Sequence, residues 1–477
     1  MKSRLIARHK ECQRLQHCLE SDQSELVIVY GRRRIGKTFL IEQFFNKTYD
    51  FKYVGGHKLS YTVQLSNFSK AFRKYSKQKN ADFKNWVEAF DALEEYLETL
   101  PNDRKKIIFF DEMPWIDTQR SDFVSSLEYF WNSWAASQDN IVLIATGSST
   151  SWMVDNLIEN QGGLHNRITE SIYLSPFTLG ETEEYLSRKK FPKDRYQTLQ
   201  FYMLTGGVPY YLSLLESRES VAQNIDRLCF DPKGKLRMEF DELYNALFTN
   251  AQSYIAVVKL LSEHKSGLTR KGIAEKLKMS GGSMSGILKN LERSDFIAKR
   301  SQFGNKKRGG IYRLVDFYSL FYYRFIESDA ALDKNWWSHN MSSQSILSWM
   351  GLTFELICLE HHQQIKNALG IGGMATSVST WRHNADKESG KQGGQVDMVI
   401  ERADRIIHLF EIKFSTKKYT ITKDYEKKVR ERLWLFQEVT KTTKAVVQTF
   451  ITTYGLSNPT SWSIVHGELT MDDLFND

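Results

Sequence analysis

Glu25-Leu26-Val27-Ile28-Val29-Tyr30-Gly31-Arg32-Arg33-Arg34-Ile35-Gly36-Lys37-Thr38 is the stretch whose reading decides the fold. After its leading acid, the first part is a continuous apolar run, the pattern of a parallel strand buried on both faces. Gly31, Gly36, Lys37 and Thr38 then stand at the G-x-x-x-x-G-K-T spacing. From Thr38 to Phe45 the chain reads as a helix, with Phe39, Leu40, Ile41, Phe44 and Phe45 apolar. Strand, glycine loop and helix in that order form a P-loop, whose curled backbone turns its N–H groups toward phosphate oxygens. Gly31, Arg32, Arg33, Arg34, Ile35, Gly36, Lys37 and Thr38 are therefore the expected nucleotide-binding residues. Lys37 would reach the β- and γ-phosphates, and Thr38 would offer its hydroxyl to Mg²⁺. ATP and Mg²⁺ are the expected cofactors.

A phosphate loop needs an acidic partner strand. Lys106-Ile107-Ile108-Phe109-Phe110-Asp111-Glu112 supplies one. Asp111 would hold the hydration shell of Mg²⁺, and Glu112 would polarise the attacking water as catalytic base. A third apolar strand, Asn140 to Ala145, ends in Thr146-Gly147-Ser148-Ser149. Ser148 or Thr146 would sense the γ-phosphate from the strand's carboxyl end; the alternative is a helix N-cap ahead of Trp152. Arg167, after Gly162-Gly163-Leu164-His165-Asn166, reads either as an arginine finger, in cis or toward a neighbouring subunit, or as a surface arginine. Thr205-Gly206-Gly207-Val208-Pro209 reads as a turn entering a helix, with Pro209 at an early helical position.

The chain has 477 residues, enough for two to four domains, with 41% hydrophobic and 26% charged residues and a net charge of +8. Cys12, Cys18, Cys229 and Cys358 fit neither a zinc spacing nor a disulfide framework, so a reduced, cytoplasmic setting is expected. No apolar core follows Met1-Lys2-Ser3-Arg4, so no signal peptide is read there. No run approaches 18 uncharged apolar residues, so no membrane span is expected.

The positive charge is concentrated in the middle of the chain. Gln252 to Leu314 carries fourteen Lys or Arg against four acids, a surplus of ten that exceeds the whole-chain value. Tyr254–His264, Thr269–Leu277 and Ser280–Leu291 read as three helices, followed by strands at Phe296–Arg300 and Gly310–Leu314. Three helices and a basic hairpin make a winged helix-turn-helix, with DNA the expected partner. Ser283 and Lys289 would face the major groove, and Lys306, Lys307 and Arg308 would meet phosphate. The alternative is a rigid lid that packs on the nucleotide domain.

In the last third, Gln395-Val396-Asp397-Met398-Val399-Ile400 and Ile406 to Phe414 read as paired strands. Period-two alternation puts Leu409, Glu411 and Lys413 on one face. An acid followed by Glu-x-Lys on the next strand is the metal site of the PD-(D/E)xK nuclease fold. Asp397 and Glu411 would bind Mg²⁺, Lys413 would orient water or stabilise developing charge, and Glu355 would add a carboxylate from the preceding helix. A plain ion pair within the sheet is the alternative.

Residues from about 4 to 230 resemble the archaeal and bacterial ATPase family within the AAA+/STAND-like P-loop NTPases. Arg8, Glu11, the arginine-rich P-loop, Phe109 to Glu112, Gly147 to Ser149, Gly163 to Arg167 and Gly206 to Pro209 carry the resemblance. It implies that Pro209 lies near bound nucleotide and relays its state. Ala7 departs from the glycine that relatives commonly carry there. The region from about 317 to 450 resembles the C-terminal domain that commonly follows this ATPase and is related to the PD-(D/E)xK superfamily.

The expected fold class is α/β. A P-loop NTPase parallel sheet with a helical lid portion occupies 1–235, a winged helix-turn-helix 236–316, and a small restriction-endonuclease-like α/β domain 317–477. The expected function is ATP binding and hydrolysis with DNA binding and metal-dependent DNA cleavage, in genome defence or mobile-element biology. The alternative is a nucleotide-switched DNA- or protein-binding regulator with an inactive nuclease-like domain. A homo-oligomer is compatible with either.

Overall fold

The computed structural model describes residues 5–119, 121–159, 162–164, 166–304, 310–327, 333–385, 393–457 and 462–476. The chain divides into two compact units, Met1–Pro176 and Phe177–Asp477.

In the first unit a five-stranded parallel sheet has the order β2-β3-β4-β1-β5, with β1 Glu25–Tyr30, β2 Phe51–Val54, β3 Lys106–Asp111, β4 Ile141–Gly147 and β5 Glu170–Tyr173. β1, β3 and β4 are buried along nearly their whole length. Alternation along β1 explains the layering. Leu26 and Ile28 enter one core with Phe51, Phe68 and Phe90, while Val27 and Val29 enter the other with Leu40, Ile41 and Phe109. Because β4 lies between β1 and β3, its carboxyl end opens between the P-loop and the acidic strand. Three parallel strands therefore deliver their loops to one edge of the sheet, where ligands bind in such folds.

The second unit begins earlier than the sequence reading placed a boundary, at 177 rather than 236. Packing explains the difference. Tyr202 lies edge-on to Phe317 with ring centroids 5.5 Å apart, and the Leu179 N–H donates to His361 Nε2 at 3.0 Å. The segment that reads as a lid of the nucleotide domain shares its contacts with the aromatic segment near 317 and the helix that follows it.

Within this unit, helices Ala251–Glu263, Arg270–Leu277 and Gly281–Arg293 stand with a small antiparallel sheet of order β6-β8-β7: β6 Leu268–Thr269, β7 Ile297–Arg300 and β8 Ile311–Leu314. Thr269 and Ser280 cap the second and third helices through their side chains, as their position before each helix predicts. Lys306, Lys307 and Arg308 lie outside the described residues.

A second five-stranded sheet has the order β13-β12-β11-β10-β9, with β9 Thr376–His383, β10 Gly394–Arg402, β11 Ile406–Lys413, β12 Ala445–Thr452 and β13 Gly467–Thr470. β9, β10 and β11 run antiparallel, whereas β11, β12 and β13 run parallel. Helix Lys423–Thr440 covers one face through Leu435 and Phe436, against Trp381, Val396, Val399 and Leu409. The chain after β7 lies along β9: Phe303 N–H donates to Thr380 O at 2.7 Å and Thr380 N–H to Ser301 O at 3.1 Å. This pairing satisfies the backbone groups of Thr380 on the β9 edge, which would otherwise be open to association. No helix among the described residues is long and apolar enough to cross a membrane.

Candidate active site and nucleic-acid face

The P-loop conformation follows from its glycines. Gly31 has φ of 141°, and a Cβ there would lie 2.5 Å from Leu174 O and 2.7 Å from Ile35 Cδ1. Gly36 sits at φ of 86° and begins helix Lys37–Phe44. Lys37 is buried. Its ammonium donates to Gly31 O, Arg32 O and Ser148 Oγ, each at 3.0 Å. Burial lowers its pKa to about 8, against the pull of Glu112 and Asp111. Three neutral acceptors and two nearby carboxylates are modest compensation for burying an ammonium. A polyphosphate would supply the missing negative charge.

Thr38, Asp111 and Thr146 form one hydrogen-bonded group. Thr38 Oγ1 donates to Asp111 Oδ1 at 2.9 Å, and Thr146 Oγ1 donates to the same oxygen at 2.5 Å. Burial raises the Asp111 pKa, and the two hydroxyls oppose that rise. A hydroxyl and a carboxylate held together beside a phosphate loop are hard-oxygen donors of the kind Mg²⁺ takes along with substrate phosphates, so these residues fit the ion.

Glu112 stands next to this group at φ of 51°, a left-handed conformation uncommon outside glycine. Its carboxylate accepts from the Ser148 N–H at 3.0 Å and from the Ser148 hydroxyl, while its own N–H donates to Thr146 Oγ1 at 3.2 Å. Both hydroxyl residues proposed as sensors thus engage the acidic pair, and Ser148 also touches Lys37. The N-cap of the short helix Thr150–Met153 is Ser149, not Ser148.

His57 escaped the sequence reading. It follows Gly55 and Gly56 at the carboxyl end of β2, and a Cβ at Gly55 would lie 2.6 Å from Glu112 O. Its ring centroid is 5.0 Å from that of Trp115. Its pKa is lowered by burial, then by Lys58 and Arg33, with Glu112 opposing. Arg167 is exposed, in the turn before β5, and is not part of the hydrogen-bonded group around Lys37 and Glu112. Pro209 opens helix Pro209–Ser213 in the second unit, after Gly206 and Gly207 at φ of 57° and 70°.

In the C-terminal sheet, Asp397 lies beside a bulge between Val396 and Val399. Both valines enter the same apolar cluster although three positions apart, which a regular strand would not allow. The Glu355 pKa is raised to about 8, first by burial and then by Asp397, with Glu411 adding to the rise and Lys413 and Arg313 opposing it. Asp397, Glu411 and Lys413 thus all act electrostatically on Glu355.

Glu411, however, is already engaged through both carboxylate oxygens. Lys413 Nζ lies 2.8 Å from its Oε1, the Tyr425 hydroxyl donates to the same oxygen, and Arg432 donates to Oε2. Burial pushes the Glu411 pKa up, but Lys413 and Arg432 outweigh it and hold the carboxyl below its ordinary range. Among the described residues, no three His, Cys, Asp or Glu side chains are grouped to hold a metal. Asp397 and Glu411 as arranged do not fit Mg²⁺. Tyr425 and Arg432 were absent from the sequence reading; their spacing of seven puts them on one face of a helix, either side of the buried Val429.

On helix Gly281–Arg293, Met284, Ile287, Leu288 and Leu291 are buried, while Gly282, Ser283, Ser285, Gly286 and Lys289 are exposed. Among the described residues nothing lies within 4 Å of a Cβ built at Gly282 or Gly286. Arg270 donates to Gly281 O at 3.2 Å and Ser285 Oγ at 2.9 Å, tying the second helix to the third.

Residues 5–215 match the family model of an ATPase domain predominantly from Archaea. That segment of the chain is an archaeal-type P-loop ATPase domain, as its motifs led one to expect. A protein of Methanocaldococcus jannaschii, described as uncharacterized, is 22% identical over 388 residues, covering 80% of this chain and 82% of its own length. Among solved structures, the Walker-type ATPase of Pyrococcus abyssi is 18% identical, with a TM-score of 0.49 over 68% of this chain and 97% of that one. The Aeropyrum pernix ORC2 protein, in ADPNP and ADP complexes, is 14% identical, with a TM-score of 0.41 over 71% and 96%.

Proposed function

We propose that this chain hydrolyses ATP with Mg²⁺ at Lys37, Thr38, Asp111 and Glu112, and binds DNA through the unit of three helices and a small sheet at 251–314. The observation that carries the ATPase reading is the juxtaposition of Lys37, Ser148 and Glu112 at the carboxyl ends of β1, β4 and β3. Lys37 would neutralise the terminal phosphates, and the P-loop N–H groups would orient them. Mg²⁺, held by Thr38 and Asp111, would supply charge neutralisation of the phosphates. Glu112 would take a proton from water positioned near the γ-phosphate. Calorimetry tests the site: Lys37→Ala should lose ATP affinity, and equal affinity in wild type and variant would rule it out.

The DNA reading is supported by the surplus of ten cations in 252–314 and by the outer face of helix Gly281–Arg293. We read this unit as a winged helix-turn-helix, whose third helix would enter the major groove. Gly282, Gly286 and Lys289 recur at spacings of four and three along one face. Each glycine costs a helix about 1 kcal/mol relative to alanine. Among the described residues no neighbour uses the space they leave, whereas a DNA groove would. Replacing Lys306, Lys307 and Arg308 should reduce the slope of log affinity against log salt by about 0.9 for each phosphate no longer neutralised. An unchanged slope would favour the lid reading.

The expected metal-dependent strand cleavage by the C-terminal sheet is disfavoured, because Glu411 is engaged by Lys413 and Arg432 and does not fit Mg²⁺, which leaves the regulator as the reading for that sheet. Plasmid nicking across a Mg²⁺ and Mn²⁺ series separates the readings. Nicking by wild type that Asp397→Ala abolishes supports cleavage. Intact plasmid under every nucleotide and metal condition leaves the regulator.

A further inference from the structure

The Glu411 cluster has the wrong charge balance for a metal site, and that disagreement points to a different ligand. Glu411 is contacted by two cations and a phenol, and it lies beneath them: its side chain is 6% exposed, against 31% for Lys413 and 27% for Arg432. A ligand arriving from solvent meets the cations before the carboxylate. The Lys413 ammonium also lies 5.2 Å from the Tyr425 ring centroid, so the ring and the carboxylate together hold it in place.

The surroundings extend the same sign of charge. From Lys413 to Arg432 the chain carries eight Lys or Arg against three acids, a surplus of five within twenty residues. Lys417, Lys418, Lys423, Lys427 and Lys428 in this stretch are exposed. Tyr419 and Tyr425 lie among them in sequence, with ring centroids 6.1 Å apart, and pack against the apolar cluster of Ile421, Val429 and Phe450. A cluster of exposed basic residues suits a nucleic-acid backbone. On the far side, Arg313 of β8 is drawn on electrostatically by Asp397 and Glu355. The strand register places Arg313 opposite Ala298 of β7, and the chain following β7 hydrogen-bonds to β9. The small sheet and the C-terminal sheet are therefore joined by hydrogen bonds at Thr380 of β9.

We propose that Lys413 and Arg432, with the Tyr425 hydroxyl, form a phosphate-binding site for a nucleic-acid backbone that works without metal, and that Glu411 is its resident counter-ion. This rests on the reading that the chain binds DNA and adds a second DNA-binding region to the helix-and-sheet unit. The site holds a phosphodiester by charge and hydrogen bonding, with no bond made or broken. Glu411 keeps the two cations aligned and weakens the site by one unit of negative charge.

The test is fluorescence anisotropy of a labelled DNA duplex with the full chain in EDTA, at two salt concentrations, with inorganic phosphate and ATP as competitors. Glu411→Gln should tighten binding about fivefold at low salt, the effect of removing one unit charge roughly 4 Å away in water. The gain should shrink as salt rises. Lys413→Gln with Arg432→Gln should weaken binding and lower the salt slope by about 1.8 if both meet duplex phosphate. These side-chain ends reach solvent, so the double variant keeps the test alive if Glu411→Gln fails to fold. Competition by the duplex alone supports a backbone site, whereas equal competition by inorganic phosphate would reassign it to a free anion and overturn the proposal. Binding that requires Mn²⁺, loss of binding in Glu411→Gln, or an unchanged salt slope in the double variant would also overturn it. Lys289→Ala separates the two levels. If it weakens DNA binding while the double variant does not, the DNA reading stands and this site falls. If the wild type binds no duplex at all, both fall.

Discussion

Ser148 holds Glu112 twice, through its backbone N–H at 3.0 Å and through its hydroxyl. The same hydroxyl oxygen accepts from Lys37 at 3.0 Å. One serine at the end of β4 thus bridges the phosphate-binding cation and the base. Ser148→Ala removes the hydroxyl but leaves the backbone donor. A hydrogen bond to a charged group is worth about 1.5–3 kcal/mol, so turnover should fall roughly tenfold or more while ATP affinity changes little. Steady-state hydrolysis beside calorimetry checks this, and an unchanged turnover number would remove Ser148 from the mechanism.

Gly282→Ala and Gly286→Ala should have opposite effects on stability and on binding. Each fills open space on a helix and should stabilise the fold by about 1 kcal/mol. Each also adds a methyl group where DNA is expected, and should weaken binding by about 1 kcal/mol or more, the scale of a single base contact. Urea unfolding and duplex affinity are the two readouts. Variants that are more stable and bind DNA as well as wild type would move the interface elsewhere.

His408 gives the second unit an acid sensitivity. Arg402 Nη1 donates to its Nε2 at 3.2 Å, and its Nδ1 lies 3.1 Å from Thr449 Oγ1. An arginine has no acceptor, so Nε2 must be unprotonated and the ring neutral. Burial and then Arg402 lower its pKa from 6.5 to about 4. Below 6.5 the unfolded chain binds a proton that the folded chain refuses, so stability is lost as pH falls from 6.5 toward 4. His408→Gln should flatten the change in urea midpoint between pH 7 and pH 5. An undiminished change would assign the acid sensitivity to other groups.

The parts of the site that were legible in the sequence are those in which one segment fixes its own geometry. Gly31, Gly36, Lys37 and Thr38 are such a case, because the spacing itself dictates a loop that curls around phosphate. Asp111 and Glu112 were legible as the end of an apolar strand. His57 was not, because β2 comes to lie beside β3 only when the sheet assembles. Tyr425 and Arg432 were hidden for a related reason: a helix after β11 reads as amphipathic, but the strand residue beneath its polar positions is set by docking. The i, i+7 spacing across the buried Val429 was the one available signal. That Phe177–Asp477 forms one compact unit was not legible either, because aromatic packing, such as Tyr202 on Phe317, ties distant segments together.

Single-turnover hydrolysis of ATP by wild type, Glu112→Gln and Lys37→Ala tests the central claim most directly, with nucleotide binding measured on the same samples. Glu112→Gln should bind ATP with near wild-type affinity and hydrolyse it about 10²–10⁴-fold more slowly, the usual contribution of a positioned general base. Lys37→Ala should lose affinity as well as turnover. Hydrolysis by Glu112→Gln at the wild-type rate would contradict the assignment of the base and of the site built around it.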